Sequence, residues 1–97
     1  MKTQHTPEPW KARHCGGNKW EIVAASPHVK GLTQTVAELN GPWGPDNYAA
    51  NARLIAAAPE LLGALQYMLR NAEADGWSEM LCKPARAAIA HAEGRKA

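Results

Sequence analysis

Alternation of apolar and polar residues along the first 40 positions predicts β-strands. Residues 10–14, which run from Trp10 to His14, alternate with a period of two, as a half-buried strand does. Residues 16–18 are Gly-Gly-Asn, which tolerate the backbone angles of a hairpin connection, and Trp20 then resumes the alternation on a second strand. We expect a third strand over residues 32–39, and we expect Trp10 and Trp20 to pair across the hairpin on the core face.

A Gly- and Pro-rich segment separates these strands from a helical half. Residues 41–45, Gly-Pro-Trp-Gly-Pro, exclude both helix and strand, and Asp46 or Asn47 can then cap a helix. Apolar residues follow at a spacing near 3.6, which is typical of one helical stripe. Pro59 falls inside the stripe without shifting its phase, so the pattern predicts either one kinked helix or two abutting helices. The stripe consists of Leu54, Ile55, Ala58, Leu61, Leu62, Leu65, Met68 and Leu69.

A last helix is predicted near the C-terminus, where Pro84 suits the first turn and Gly94 ends the element. Its face of mostly small residues should let it pack closely on the stripe. The fold class is therefore α+β: a small antiparallel sheet of about three strands packed against two or three C-terminal helices. We expect a single domain over residues 1–97, with an arm at 1–8, a sheet half at 9–40 and a helical half at 46–94.

Composition and charge argue against some classes of binding partner. The 97 residues carry a formal charge of +2, and no window forms a basic stripe, so nucleic acid is an unfavoured partner. No apolar segment has the length of a membrane span or the form of a signal peptide, and the two cysteines, Cys15 and Cys82, form no CxxC pair. We therefore expect a cytoplasmic protein without a membrane partner. Its core is thin for its length, which favours homo-oligomerisation.

Catalytic and metal-binding patterns are lacking. Cys15 follows His14, but neighbouring residues of a strand point to opposite faces, so they do not make a nucleophile–base pair. The carboxylates are dispersed, and the histidines and cysteines show no ligand spacing. We predict that the protein is not an enzyme and has no catalytic residues, no metal site and no cofactor.

Binding residues are the remaining candidates. Trp43 lies in a rigid loop before a helix N-terminus, where an indole can stack on a base or simply cover the junction of sheet and helix. Asn51 precedes Leu54 and Ile55 by three and four residues, so we expect its amide on the apolar face, bonded either to the backbone or to a ligand. Three arginines either converge on a phosphate or are ordinary solvated charges: Arg53, Arg70 and Arg86.

A family resemblance rests on the segment 50–62, Ala-Asn-Ala-Arg-Leu-Ile-Ala-Ala-Ala-Pro-Glu-Leu-Leu. Together with the opening His-Thr-Pro-Glu-Pro-Trp at 5–10 and the Ala-rich end at 85–94, it resembles a signature of small accessory proteins of bacteriophages and prophages. This resemblance covers most of the chain and implies a phage origin, while the role of such proteins is open.

A looser similarity concerns the layout of a sheet, an Asn-Ala helix and a second helix. It is similar to phage anti-defence proteins that act as sponges for Thoeris signals, which hold cyclic ADP-ribose isomers or cyclic oligonucleotides between subunits of a homo-oligomer. The resemblance implies Trp43 or Tyr48 for stacking, Asn51 for base or ribose, and Arg70 or Arg86 for phosphate. The second arginine of the sponge helix has no counterpart after Arg70.

The function that the similarity implies is sequestration of a nucleotide immune signal without cleavage. A protein-binding inhibitor of a host defence complex, of the anti-CRISPR type, is the alternative, as is a phage accessory protein with no small ligand. The two classes need different surfaces: a sponge needs a concave site lined by arginine and an aromatic, whereas a protein inhibitor needs an exposed apolar or charged patch.

Overall fold

The computed structural model describes residues 5–41 and 45–95. Within these two ranges, three β-strands precede three α-helices, and the predicted α+β fold with an N-terminal antiparallel sheet is confirmed. The chain divides into two compact units, Met1–Pro59 and Glu60–Ala97. The elements are β1 (Trp10–His14), β2 (Trp20–Ala25), β3 (Thr33–Leu39), α1 (Pro45–Ala56), α2 (Ala58–Ala74) and α3 (Glu79–Ala92).

The first unit contains a sheet of order β1-β2-β3, in which both pairs of neighbours are antiparallel. The predicted hairpin closes through Cys15 N, which donates to Lys19 O at 2.9 Å, and Lys19 N, which donates to Gly16 O at 3.1 Å. Gly16 and Gly17 have φ angles of 95° and 56°, which explains why glycines stand in this loop.

The expected pairing of Trp10 with Trp20 is wrong. The hairpin loop sets a register in which Trp10 lies opposite Ala24 and Trp20 lies opposite His14. Because the two indoles stand at opposite ends of the hairpin, each has a different neighbour. The imidazole of His14 stacks on Trp20, with ring centroids 4.9 Å apart and planes at 24°. Alternation indicated the shared face of the two tryptophans, but the closing hydrogen bonds of the loop decide the register.

The core of the first unit lies between the sheet and α1, which contacts β1 and β2. Ile22 in the central strand and Ala52 in α1 are fully buried, and Ala24 is nearly so. Burying an isoleucine side chain contributes about 1.5–3 kcal/mol, so Ile22 is the main apolar anchor of this sheet. The small residues around it let the helix approach the strands closely.

Gly41 allows a second close approach in this unit. A Cβ atom on Gly41 would lie 2.7 Å from the hydroxyl oxygen of Tyr48, closer than atoms in contact can be. The glycine therefore leaves room for the Tyr48 ring at the start of α1, where the side chain is half-buried.

Pro59 splits the helical stripe, which answers the question that the pattern left open. Helix α1 ends at Ala56, Ala57 is a turn residue, and α2 begins at Ala58. Pro59 is therefore the second residue of a new helix, where a missing N–H interrupts no helical hydrogen bond. The continuous phase of the stripe did not distinguish one helix from two because both have the same period.

In the second unit, α2 and α3 form an antiparallel helical hairpin. Side chains join the two helices: Gln66 Nε2 donates to Glu93 Oε2 at 3.0 Å, and Arg86 Nε donates to Glu73 Oε2 at 2.8 Å. The prediction that Pro84 lies in the first turn of the last helix is wrong. Ser78 caps that helix instead, its side chain accepting a bond from Leu81 N, and Pro84 lies in the helix interior.

The two cysteines differ in exposure. Cys15 is exposed after β1, whereas Cys82 in α3 is only 2% exposed. Both are free thiols. Among the helices of the described ranges, none is long and apolar enough to cross a membrane.

Candidate functional site

The predicted binding residues are divided between the two units. Tyr48, Asn51 and Arg53 lie on α1 in the first unit, whereas Arg70 on α2 and Arg86 on α3 belong to the second. Trp43, the candidate stacking residue, lies outside the described residues.

Asn51 is exposed, so the expectation of a buried amide on the apolar face is wrong. That expectation relied on Leu54, but the Leu54 side chain is 63% exposed and the buried side of α1 is centred on Ala52. Arg53 is exposed as well. It follows Asn51 by two residues, a rotation of about 200° around the helix, so one ligand on the Asn51 side would not reach it. Tyr48 and Asn51, less than one turn apart, do share a side.

Arg86 is bound by two carboxylates. Its Nη1 and Nη2 donate to the Glu79 carboxylate at 2.6 and 2.8 Å, and its Nε donates to Glu73. Hydrogen bonds to Glu79 and then to Glu73 raise the pKa of Arg86, and the bonds from Arg86 lower the pKa of Glu79. The guanidinium thus joins α2 to the first turn of α3, and a phosphate ligand would have to compete with both carboxylates.

A shallow cleft of about 340 Å³ in the second unit includes Arg86. The four apolar residues of the cleft wall come from both helices, and three basic residues line it as well. Glu93 pairs with Arg95 through a salt bridge, while Lys83 has no carboxylate within 4.0 Å among the described residues. The lining consists of Leu69, Ala87, Ile89 and Ala90, with Lys83, Arg86 and Arg95.

His14 and Cys15 have separate partners in the first unit. Nε2 of His14 lies 2.9 Å from Gly17 O, and the Cys15 thiol donates to Glu21 Oε1 at 3.2 Å. Glu21 also accepts a bond from Arg13 Nη2 at 2.6 Å, which is the first cause of its lowered pKa. Among the described residues, no group of three or more His, Cys, Asp or Glu side chains could hold a metal ion.

An uncharged surface on one side of the α2–α3 hairpin is the feature that sequence reasoning missed. Each helix turns by about 100° per residue, which orders its side chains around the axis. On both helices the residues that face the other helix lie between two flanks. One flank carries the crosslinks made by Gln66, Glu73, Arg86 and Glu93, and the other has no charged residue within α2 and α3, with Asp75 following at the end of α2. We call this second flank the hairpin face; it consists of Leu61, Ala64, Met68 and Ala72 on α2 and Leu81, Ala85, Ala88 and Ala92 on α3.

The large residues of the hairpin face are more than half exposed. Leu61 is 54% exposed, Met68 65% and Leu81 63%. The sequence contained a signal for this exposed surface. The neighbouring apolar pairs 61–62 and 68–69 make the stripe wider than the arc that one partner helix covers. Helix α3 covers only part of this arc.

Residues 1–96 match the protein family described as Salmonella phage P22 protein Y8K6. The chain belongs to this phage family. The match confirms the phage origin that the resemblance implied, and the similarity to Thoeris sponges stays a prediction. Neither the curated proteins nor the solved structures contain a match to this phage chain.

Proposed function

We propose that this phage protein acts by binding another protein chain through the hairpin face, in the cytosol of the bacterial host. The observation that carries the proposal is the exposure of Leu61, Met68 and Leu81 on a flank that has no charged residue within α2 and α3. Covering the exposed part of these three side chains would contribute about 1–2 kcal/mol each. Exposed apolar surface of this kind is typical of protein-interaction sites.

The shape and charge of the hairpin face favour a protein over other ligands. Two neighbouring helices form a shallow surface, which suits an apolar helix laid along it and not a small molecule that needs a concave site. A nucleic acid would need cations along its backbone, and the face has none. Proteins of the host's defence systems are the first partners to screen, since the resemblance to anti-defence proteins suggests them.

A matched pair of substitutions tests the proposal. Met68 and Tyr67 are neighbours on α2 and are 65% and 66% exposed, but Tyr67 points away from the hairpin face. Tagged protein carrying Met68→Lys or Tyr67→Lys is incubated with host lysate, and captured proteins are identified by mass spectrometry. The proposal expects a host protein that binds the original chain and Tyr67→Lys, and that Met68→Lys fails to capture. Equal capture by all three proteins would contradict it.

A second candidate function is sequestration of a nucleotide immune signal. It is favoured by the cleft that includes Arg86, because an apolar wall with basic residues beside it suits an anionic ligand. A thermal-shift panel with cyclic ADP-ribose isomers and cyclic di- and trinucleotides tests it. A ligand at one hundred times its dissociation constant should add about 2.7 kcal/mol to the stability, and it should be recovered intact after denaturation. No shift across the panel would remove this candidate.

A further inference from the structure

We propose that Asn40 is a site of spontaneous backbone modification, at which the side chain cyclises with Gly41 and the ring reopens as aspartate or isoaspartate. The inference concerns the first unit and goes beyond the proposed function. Three observations carry it: the exposure of Asn40 between two elements, the glycine that follows it, and the contrast with similar steps elsewhere in the chain.

Asn40 lies at the start of the connection from β3 to α1. Strand β3 ends at Leu39, which pairs with Trp20, so Asn40 is the first residue beyond the sheet ladder. Asn40 is exposed, so water reaches its amide. Within the described ranges, no backbone carbonyl accepts a hydrogen bond from Gly41 N. The attacking nitrogen and its target carbon are therefore neighbours in a segment that lies between the ladder and the helix.

The chemistry needs only water. Gly41 N bonds to Asn40 Cγ and closes an imide ring, and ammonia leaves with the amide nitrogen and the proton of the Gly41 N–H. Water then opens the ring at one of its carbonyls. Opening at the side-chain carbonyl restores the normal main chain with an aspartate. Opening at the main-chain carbonyl leaves isoaspartate, in which the main chain runs through Cβ and Cγ.

Glycine is the residue that best allows this ring closure. It has no Cβ atom to crowd its nitrogen, and it adopts backbone angles that other residues avoid. Among the asparagines of the sequence, only Asn40 is followed by a glycine, and the others precede lysine, tyrosine or alanine. The sequence therefore singles out this step, and the structure shows that it is accessible.

Similar steps elsewhere are held by hydrogen bonds. Asp75 also precedes a glycine and can cyclise by the same route, but Gly76 N donates to Glu73 O at 3.1 Å. Asn18 lies in the hairpin loop, where the next nitrogen, Lys19 N, donates back across the loop. In a helix, the N–H groups point along the axis toward their acceptors. The remaining asparagines lie in helices: Asn47, Asn51 and Asn71.

Modification of Asn40 should disturb the contact between Gly41 and Tyr48. A Cβ atom on Gly41 would lie 2.7 Å from the Tyr48 hydroxyl oxygen, which leaves no room for Gly41 to move toward the ring. Isoaspartate adds a carbon to the main chain directly before Gly41 and must displace it. Aspartate adds only a charge, close in the sequence to Glu38. We therefore expect isoaspartate, more than aspartate, to lower the melting temperature.

The experiment follows the full chain at physiological temperature over days. Peptide mapping by mass spectrometry locates each conversion of an amide to an acid, and enzymatic methylation of isoaspartyl groups measures that product. We expect conversion at Asn40 well before conversion at Asn18 or isomerisation of Asp75. It should be several-fold faster at mildly alkaline than at mildly acidic pH, because Gly41 N attacks after losing its proton. Conversion of Asn18 at an equal or higher rate would overturn the proposal, as would an Asn40 amide that stays intact in the folded chain.

The requirement for glycine is tested in a Tyr48→Phe background, which removes the hydroxyl. There a Cβ atom on residue 41 meets the ring carbon Cζ at 3.7 Å, an ordinary contact, and Gly41 has no positive φ angle, so Gly41→Ala fits the space. The double variant should convert Asn40 at least an order of magnitude more slowly than Tyr48→Phe alone. Equal rates would contradict the proposal.

The consequence for stability is tested with Asn40→Asp, which carries the added charge on a normal main chain. Freshly prepared, this variant should melt close to the original chain, because the substitution is at an exposed position. Material enriched in isoaspartate should melt several degrees lower. The same melting temperature for both would contradict the predicted loss of the contact between Gly41 and Tyr48.

Discussion

Truncation of Ile22 to alanine tests the core of the first unit. The Ile22 side chain is fully buried, and its cross-strand neighbours are Ala12 on β1 and Ala37 on β3. The change removes three carbon atoms, a transfer loss of about 2.4 kcal/mol at about 0.8 kcal/mol each. Because the surrounding alanines are too small to fill the space, a cavity remains and raises the expected loss to about 3–4 kcal/mol.

Thermal unfolding followed by tryptophan fluorescence measures this loss. Each kcal/mol lowers the melting temperature of a domain of this size by about 4–8 °C, so the variant should melt at least 12 °C below the original chain, or be unfolded. Leu54→Ala is the matched control, since Leu54 belonged to the predicted stripe but is 63% exposed. We expect it to cost less than about 1 kcal/mol. A loss from Leu54→Ala as large as that from Ile22→Ala would refute the assignment of the core.

Three further changes have expected outcomes. Ser78→Ala removes the cap of α3 and should lower the free energy of unfolding by about 1 kcal/mol in chemical denaturation, while Ser78→Asp should restore most of it. Asn51→Ala should leave the melting temperature within about 2 °C, because the amide is exposed, and a larger drop would show an unrecognised structural bond. The pKa of Glu79 is lowered in the folded chain, so its contribution to the free energy of unfolding is present above its unfolded pKa and is lost as the pH falls through the folded pKa. Circular dichroism between about pH 5 and pH 3 should therefore show an acid-dependent loss of helix stability. The Glu79→Gln variant should show a smaller loss.

Local signals predicted the elements of the fold well. Alternation indicated β1 and β2, and Gly16-Gly17 indicated the hairpin, because strand faces and positive φ angles depend on neighbouring residues only. The helical start missed at Ser78 is of the same local kind. It was overlooked because Pro84, which also suits a first turn, was given the position that the serine cap holds.

Longer-range features could not be predicted from the pattern. Periodicity shows which residues share a face, but it does not show whether a partner covers that face. Leu62 is half-buried and Leu61 is exposed, although both belong to the same stripe. For the same reason Asn51 was placed beside a leucine that is itself exposed.

The candidate site shows the same division between residue type and surroundings. Arg86 was a reasonable phosphate ligand by type, but Glu73 and Glu79 become its neighbours only when α2 and α3 pack together. The hairpin face, in turn, can be recognised only once the crosslinks show how the two helices are rotated about their axes. Both observations depend on residues that are far apart in the sequence and meet only in the folded chain.

The two thiols can serve as native reporters, one in each unit, because they differ in exposure. Cys15, exposed after β1, is open to reagents in the folded chain, so a fluorophore or spin label can be attached there without any substitution. Cys82 inside the helical hairpin is protected and becomes reactive only when its surroundings open. The rate at which the Cys82 thiol is modified therefore measures the opening of the hairpin directly.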